Sequence, residues 1–174
     1  MDRFAVAGLG GTFDHLHKGH YSLLKTAFKV AEKVIIGLTI DVMLTNKAYA
    51  EQLQSYEVRQ QKIIDFVSTF TNPARVSFVP LNDPFGPAIT SDEIEALVIS
   101  AETLPNAEKI NQLRAERKLP PVVLVVIPLF PNGDGEKLSS TEIRAKLAVK
   151  KARKKTKKSA KQKKKLVPSK RVQV

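Results

Sequence analysis

The sequence predicts an α/β fold: a doubly wound, parallel five-stranded sheet with helices on both faces, followed by a lysine-rich C-terminal tail. Three observations carry this reading. Short β-rich runs alternate with stretches of helical period. The length of 174 residues suits one buried core rather than two. Charge also divides sharply along the chain: residues 1–144 hold 15 Lys+Arg and 17 Asp+Glu, whereas 145–174 hold 14 bases and no acid. The net charge of +12 therefore resides in the tail and not in the folded part.

In chain order, strands are expected near 4–8, 34–38, 75–80, 96–99 and 122–127. Leu24, Ala27, Phe28 and Ala31 follow i, i+3, i+4, i+7 and predict the first helix. Ile63, Val67 and Phe70 repeat the pattern more thinly, and Ile110 and Leu113 back a third helix over 107–118. After the last strand comes the turn-rich PNGDGEK, then LSSTEIRAKL, where Ser139 or Ser140 caps a final helix with Glu142 in its first turn. The division predicted is a domain at 1–149 and a basic tail at 150–174, disordered or weakly helical for want of anything to bury. Such a Rossmann-like sheet binds ligands outside the carboxyl ends of its strands, where the strand order reverses. The loops after the first and last strands should face one crevice there.

The first of those loops, GGTFDHLHKGH, holds all three histidines of the chain, His15, His17 and His20. Gly10 and Gly11 permit a close backbone approach, and Thr12 adds a hydroxyl. His17 and His20 are neighbours on one face at a helix start, whose amides and dipole suit phosphate. A lone histidine there would more often be a structural cap. Metal ligation lacks a third ligand, and neither HExxH, GxGxxG nor a Walker A pattern occurs.

Absence of cysteine removes disulfides and thiolate zinc sites and fits a reducing compartment. The N-terminus reads as a strand rather than a leader, and the longest apolar run, VVLVVIPLF, is too short for a membrane span. A soluble, cytoplasmic protein is expected.

These residues resemble a known family. His17-Lys18-Gly19-His20 matches the HxGH signature of the nucleotidylyltransferase superfamily, and LSSTEIR at 138–144 looks like its second, Ser/Thr-rich signature. Within the superfamily, IGLTIDVMLTNK, PLNDPFGPAIT, VISAET and INQLR resemble the phosphopantetheine adenylyltransferases of archaeal and eukaryotic type, over roughly residues 3–148. The resemblance implies adenylyl transfer from ATP to 4′-phosphopantetheine, giving dephospho-coenzyme A and pyrophosphate, with Mg2+ accompanying ATP. It also implies catalytic roles for His17, His20 and Lys47. ATP contacts fall on Gly10, Gly11, Thr12, His20, Ser139, Ser140, Thr141 and Arg144, and acceptor contacts on Thr12, Lys47, Glu102 and Arg114.

Several roles stay open at this level. Asp14 either orders its loop or meets a ligand. Arg59 is read as a surface base ahead of a phosphate ligand, and Glu102 and Arg114 as acceptor contacts or a structural ion pair. DPFGP is a rigid turn or a pocket wall. His15 is left without a role, its spacing pointing away from the phosphates and towards the loop's own structure. Rival readings are a glycerol-phosphate cytidylyltransferase, a flavin adenylyltransferase, or a polyanion-binding protein with a vestigial nucleotide fold. The tail suits nonspecific polyanion contact or added solubility.

Overall fold

Five parallel strands form one sheet in the order β3-β2-β1-β4-β5. They are β1 (Phe4–Gly11), β2 (Ala31–Thr39), β3 (Val76–Leu81), β4 (Ala96–Ser100) and β5 (Val123–Ile127). The structure is a computed structural model that describes residues 3–129 and 139–165. All five strands fall where β-rich runs predicted them. The order reverses at β1, which lies between β2 and β4. PNGDGEK lies outside the described residues.

Four helices accompany the sheet: α1 (Lys18–Val30), α2 (Tyr56–Ser68), α3 (Leu104–Glu116) and α4 (Ser140–Lys165). Helix α1 buries Leu24, Ala27 and Phe28, three members of its predicted stripe. Ser55 caps α2 by accepting from the Val58 amide at 3.4 Å. Helix α3 starts ahead of the predicted segment because Pro105, which has no amide to lose, occupies its first turn. Ser139 Oγ accepts from the Glu142 amide at 3.3 Å, the cap expected at the start of α4. That helix continues through Lys165, so the domain–tail boundary expected at 149/150 falls inside it rather than at its end.

The two faces of the sheet bury different sets of side chains. On one, Ala7, Leu9, Val34, Ile36, Leu38, Ala96 and Val98 pack against Leu24, Ala27 and Phe28 of α1 and Ile63 and Val67 of α2. On the other, Leu97 and Ile94 pack against Ala88 and against Ile110 of α3. Successive strand residues alternate between faces, so Val6, Gly8 and Gly10 of β1 share this second face with Ile35 and Gly37 of β2. Gly10 pairs directly with Gly37. Missing side chains at adjacent positions leave a trough on the second face, partly filled by Leu81 from the end of β3. Among the described residues, no helix is long and apolar enough to cross a membrane.

Candidate active site

The loop between β1 and α1 is held from three directions. Phe13 and His15 both adopt left-handed backbone, at φ 51° and 44°, a conformation that costs free energy unless its surroundings impose it. Asp14 supplies much of that constraint. Its buried carboxylate accepts from the Gln54 amide at 3.0 Å through Oδ1 and from Arg144 Nη1 at 2.8 Å through Oδ2. Its carbonyl accepts from Ser140 Oγ at 2.5 Å. Asp14 is therefore the loop-ordering residue of the two roles open for it. His15 completes the seam: its amide donates to Gln54 Oε1 at 3.0 Å, and its Nε2 lies 2.8 Å from the Gln52 carbonyl. It serves the loop, as its spacing suggested.

Arg59 is a correction. Read as a surface base, it is fully buried. Its guanidinium donates to the carbonyls of Thr12 (2.7 Å), Gln54 (3.0 Å) and Thr39 (2.8 Å) and to Asp41 Oδ1 (2.6 Å). It thus ties the carboxyl ends of β1 and β2 together and lines neither of the cavities at that edge.

His17 and His20 stack with ring centroids 3.9 Å apart and planes at 28°. His17 is the N-cap of α1: its Nδ1 accepts from the Gly19 amide at 3.2 Å. With Nδ1 accepting, the proton of the neutral ring sits on Nε2. His20 lies behind it, against Phe13 at 5.2 Å, and its buried Nδ1 has no hydrogen-bond partner among the described residues. Burial, and then the neighbouring His17, push the His20 pKa down to about 3, so in the free protein it is neutral rather than cationic.

Two cavities open at the carboxyl edge of the sheet. The first, about 380 Å³, sits in the glycine trough and is lined by Gly8, Gly10, Gly37, Leu81, Phe85 and Ile110 among others. The second, about 270 Å³, lies on the histidine side and is lined by His17, His20, Glu102, Leu129, Ser139–Thr141 and Arg144. Thr12 and Lys47 line both. They also touch: Lys47 Nζ donates to Thr12 Oγ1 at 3.0 Å. The Lys47 ammonium has its pKa lowered, first by partial burial and then by Arg144 and Arg59, against an opposing pull from Asp14.

The structure thus brings His17, His20, Lys47, Thr12, Ser139, Ser140, Thr141, Arg144 and Glu102 to one crevice. Gly10 and Gly11, expected at the nucleotide, are β1 residues and line the first cavity. Arg144 lines the second cavity from beneath, its nitrogens donating to Asp14, to the Ala48 carbonyl at 3.1 Å and to Thr141 Oγ1 at 3.0 Å. Arg114 is a second correction. It is fully buried, its guanidinium donates to the carbonyls of Pro120 and Ala88 (both 2.7 Å), Ser91 (2.8 Å) and Ile94 (3.4 Å), and it lines neither cavity. Asn111 likewise exchanges two bonds with the Val122 backbone. DPFGP does both things its composition allowed: Asp83 Oδ1 accepts from the Phe85 and Gly86 amides, both at 2.7 Å, while Asp83, Pro84, Phe85 and Pro87 wall the first cavity.

Among the described residues, no group of three or more His, Asp or Glu side chains is placed to hold a metal ion, and the second cavity carries one carboxylate, Glu102. Its donors are imidazole, ammonium, hydroxyl and backbone amide, a set suited to an anion and not to a hard cation.

The family model described as Cytidylyltransferase-like matches residues 9–146. A phosphopantetheine adenylyltransferase of Methanopyrus kandleri is 39% identical over 147 residues, covering 84% of this chain and 93% of that one. One from Pyrococcus abyssi is 41% identical with the same coverages. One from Saccharomyces cerevisiae is 40% identical, the match covering 82% of this chain and 48% of the yeast protein. Among solved structures, a protein of unknown function from Archaeoglobus fulgidus is 31% identical with a TM-score of 0.62, over 70% of this chain and 87% of that one. A bifunctional NMN adenylyltransferase/ADP-ribose pyrophosphatase from Francisella tularensis shares the fold at 20% identity and a TM-score of 0.55, over 82% of this chain and 41% of that one.

Proposed function

We propose a reaction from one premise: the chain belongs to the cytidylyltransferase-like family, and within it to the phosphopantetheine adenylyltransferases. It transfers the adenylyl group of ATP to 4′-phosphopantetheine, a step of coenzyme A biosynthesis. The observation that carries this reading is the contact of Lys47 with Thr12 where the two cavities meet. A two-substrate transfer needs two sites that share one reacting point, and Thr12 and Lys47 supply that point.

The second cavity takes ATP. His17, with its ring proton on Nε2, donates to a phosphate oxygen, and the start of α4 offers the first-turn amides of Ser140 and Thr141 to the outer phosphates. His20, neutral and with an unsatisfied Nδ1, adds one further hydrogen-bonding atom behind His17. The first cavity takes the acceptor arm, which lies along the glycine trough under Leu81 and Phe85.

An oxygen of the acceptor phosphate attacks the α-phosphorus of ATP. A new phosphoanhydride P–O bond forms, the bond from that phosphorus to the α,β-bridging oxygen breaks, and pyrophosphate leaves with the bond's electron pair. The attacking phosphate is already ionised near neutrality, so no general base is required. Catalysis rests on positioning and on the Lys47 ammonium at the developing charge. Mg2+ accompanying ATP would supply charge neutralisation on the triphosphate, and no side chain of the second cavity is assigned to hold it.

The test is pyrophosphate release from ATP on adding 4′-phosphopantetheine, run beside CTP and beside glycerol 3-phosphate, nicotinamide mononucleotide and FMN as acceptors. Turnover confined to ATP with phosphopantetheine is expected. Turnover confined to the other acceptors would overturn the assignment.

A further inference from the structure

The segment beyond the family match is not explained by adenylyl transfer. The match ends at residue 146, while α4 runs on as helix to Lys165. Residues 150–165 hold 11 Lys or Arg in 16 positions, no acid and no aromatic. The described side chains from Val149 to Thr156 are exposed.

A helical projection orders this charge. At about 100° per residue, ten of the 11 bases fall within an arc of about 200°, and Ala152, Thr156, Ser159 and Ala160 occupy the opposite side with Lys163. Basic residues stand at i, i+4 in the pairs 146/150, 150/154, 151/155, 153/157, 154/158, 157/161 and 161/165. Like charges at that spacing destabilise an isolated helix, so this helix is helped by counter-charge laid along one side.

We propose that residues 150–165 form a basic arm that lies against the phosphate backbone of double-stranded nucleic acid, without reading its sequence. The helix spans about 24 Å at 1.5 Å per residue, and duplex DNA presents about 14 phosphates over that length, one per 1.7 Å. Ten bases on one side suit that density. Single-stranded nucleic acid is disfavoured because no aromatic residue follows Phe130 to stack on bases. A membrane surface is disfavoured because the side opposite the charge is Ala, Thr and Ser instead of large apolar residues. A folded acidic protein is disfavoured because the arm has no apolar anchor for an interface core.

The experiment measures binding of the full chain to a labelled 20-base-pair duplex of arbitrary sequence, from about 50 to 200 mM salt. A steep dependence is expected, with log Kobs falling against log salt at a slope of about −6 for some seven neutralised phosphates. Two variants carry the comparison: a chain ending at Ala148, and a full chain with Lys150, Lys154, Lys158 and Lys161 each changed to Gln. The truncation should abolish binding. The quadruple variant should weaken it at least tenfold and flatten the slope by about four. Both should retain pyrophosphate release, so failure of the arm and failure of the assigned reaction are told apart. The proposal is overturned if the truncated chain binds duplex as well as the full chain, or if the full chain does not bind. Equal or tighter binding to poly-glutamate or to vesicles rich in anionic lipid would also overturn it.

Discussion

Asp14 and Arg144 stand 130 residues apart in the chain and meet in a buried ion pair of 2.8 Å, with side chains 0% and 3% exposed. The pair joins the loop after β1 to the start of α4, the two segments that wall the second cavity. Asp14→Asn keeps the shape but leaves the guanidinium buried without a counter-charge. Such a loss costs about 3–5 kcal/mol, so the urea midpoint at neutral pH should fall accordingly. A midpoint within experimental error of the parent would show that Arg144 finds its compensation elsewhere.

That pair also shows where the sequence stopped being informative. The HxGH and LSSTEIR segments are local patterns, so their placement at the sheet edge was legible from strand and helix periodicity. The partners of Arg59 and Arg114 were not legible. Arg114 donates only to carbonyl oxygens and Arg59 to three of them beside Asp41, from segments up to 47 residues away, and a carbonyl has no sequence signature. The extent of β1 was hidden for a related reason: Gly10 belongs to the strand and not to the loop after it, and its pairing with Gly37 hollows the second face of the sheet. Alternate glycines on neighbouring strands were the available signal, visible only once the register is known.

Lys47 is exposed and bonded to Thr12, so its removal should cost rate and not fold. Lys47→Ala is expected to lower the rate of pyrophosphate release by about 10²- to 10³-fold, the scale for losing one preorganised charge at a reacting centre. The urea midpoint should stay within about 0.5 kcal/mol of the parent. Near-normal turnover would remove Lys47 from the reaction.

Arg114 makes the opposite prediction. Arg114→Met strips the donors from four backbone carbonyls around α3, and each buried acceptor left unsatisfied costs about 1–3 kcal/mol. A large loss of stability is expected, with KM for 4′-phosphopantetheine unchanged in the folded fraction. A selective rise in that KM at full stability would return Arg114 to the acceptor site.

His20 sets a pH dependence whose sign follows from its depressed pKa. Between about pH 6.5 and pH 3 the unfolded chain binds a proton at this ring and the folded chain does not, so acid favours unfolding over that window. Stability contributed by the neutral ring is fully present above the unfolded value and is lost as pH falls towards 3. His20→Gln removes the titration. Its urea midpoint should therefore drop less than the parent's between about pH 7 and pH 4.5. Equal drops would mean that His20 is protonated in the folded protein.

Gly37 tests the acceptor cavity without touching a reacting group. A Cβ built there would meet both Leu81 Cδ atoms at 2.8 Å, closer than side chains approach, so Leu81 must move, and it already lines the trough. Overpacking of this kind costs about 1–3 kcal/mol, which will be felt where the acceptor arm competes for the same volume. Under the proposed assignment of the two cavities, Gly37→Ala should raise KM for 4′-phosphopantetheine by about tenfold and leave KM for ATP near the parent's value. A change in the ATP constant alone would mean that the trough belongs to the nucleotide and that the two cavities have been assigned the wrong way round.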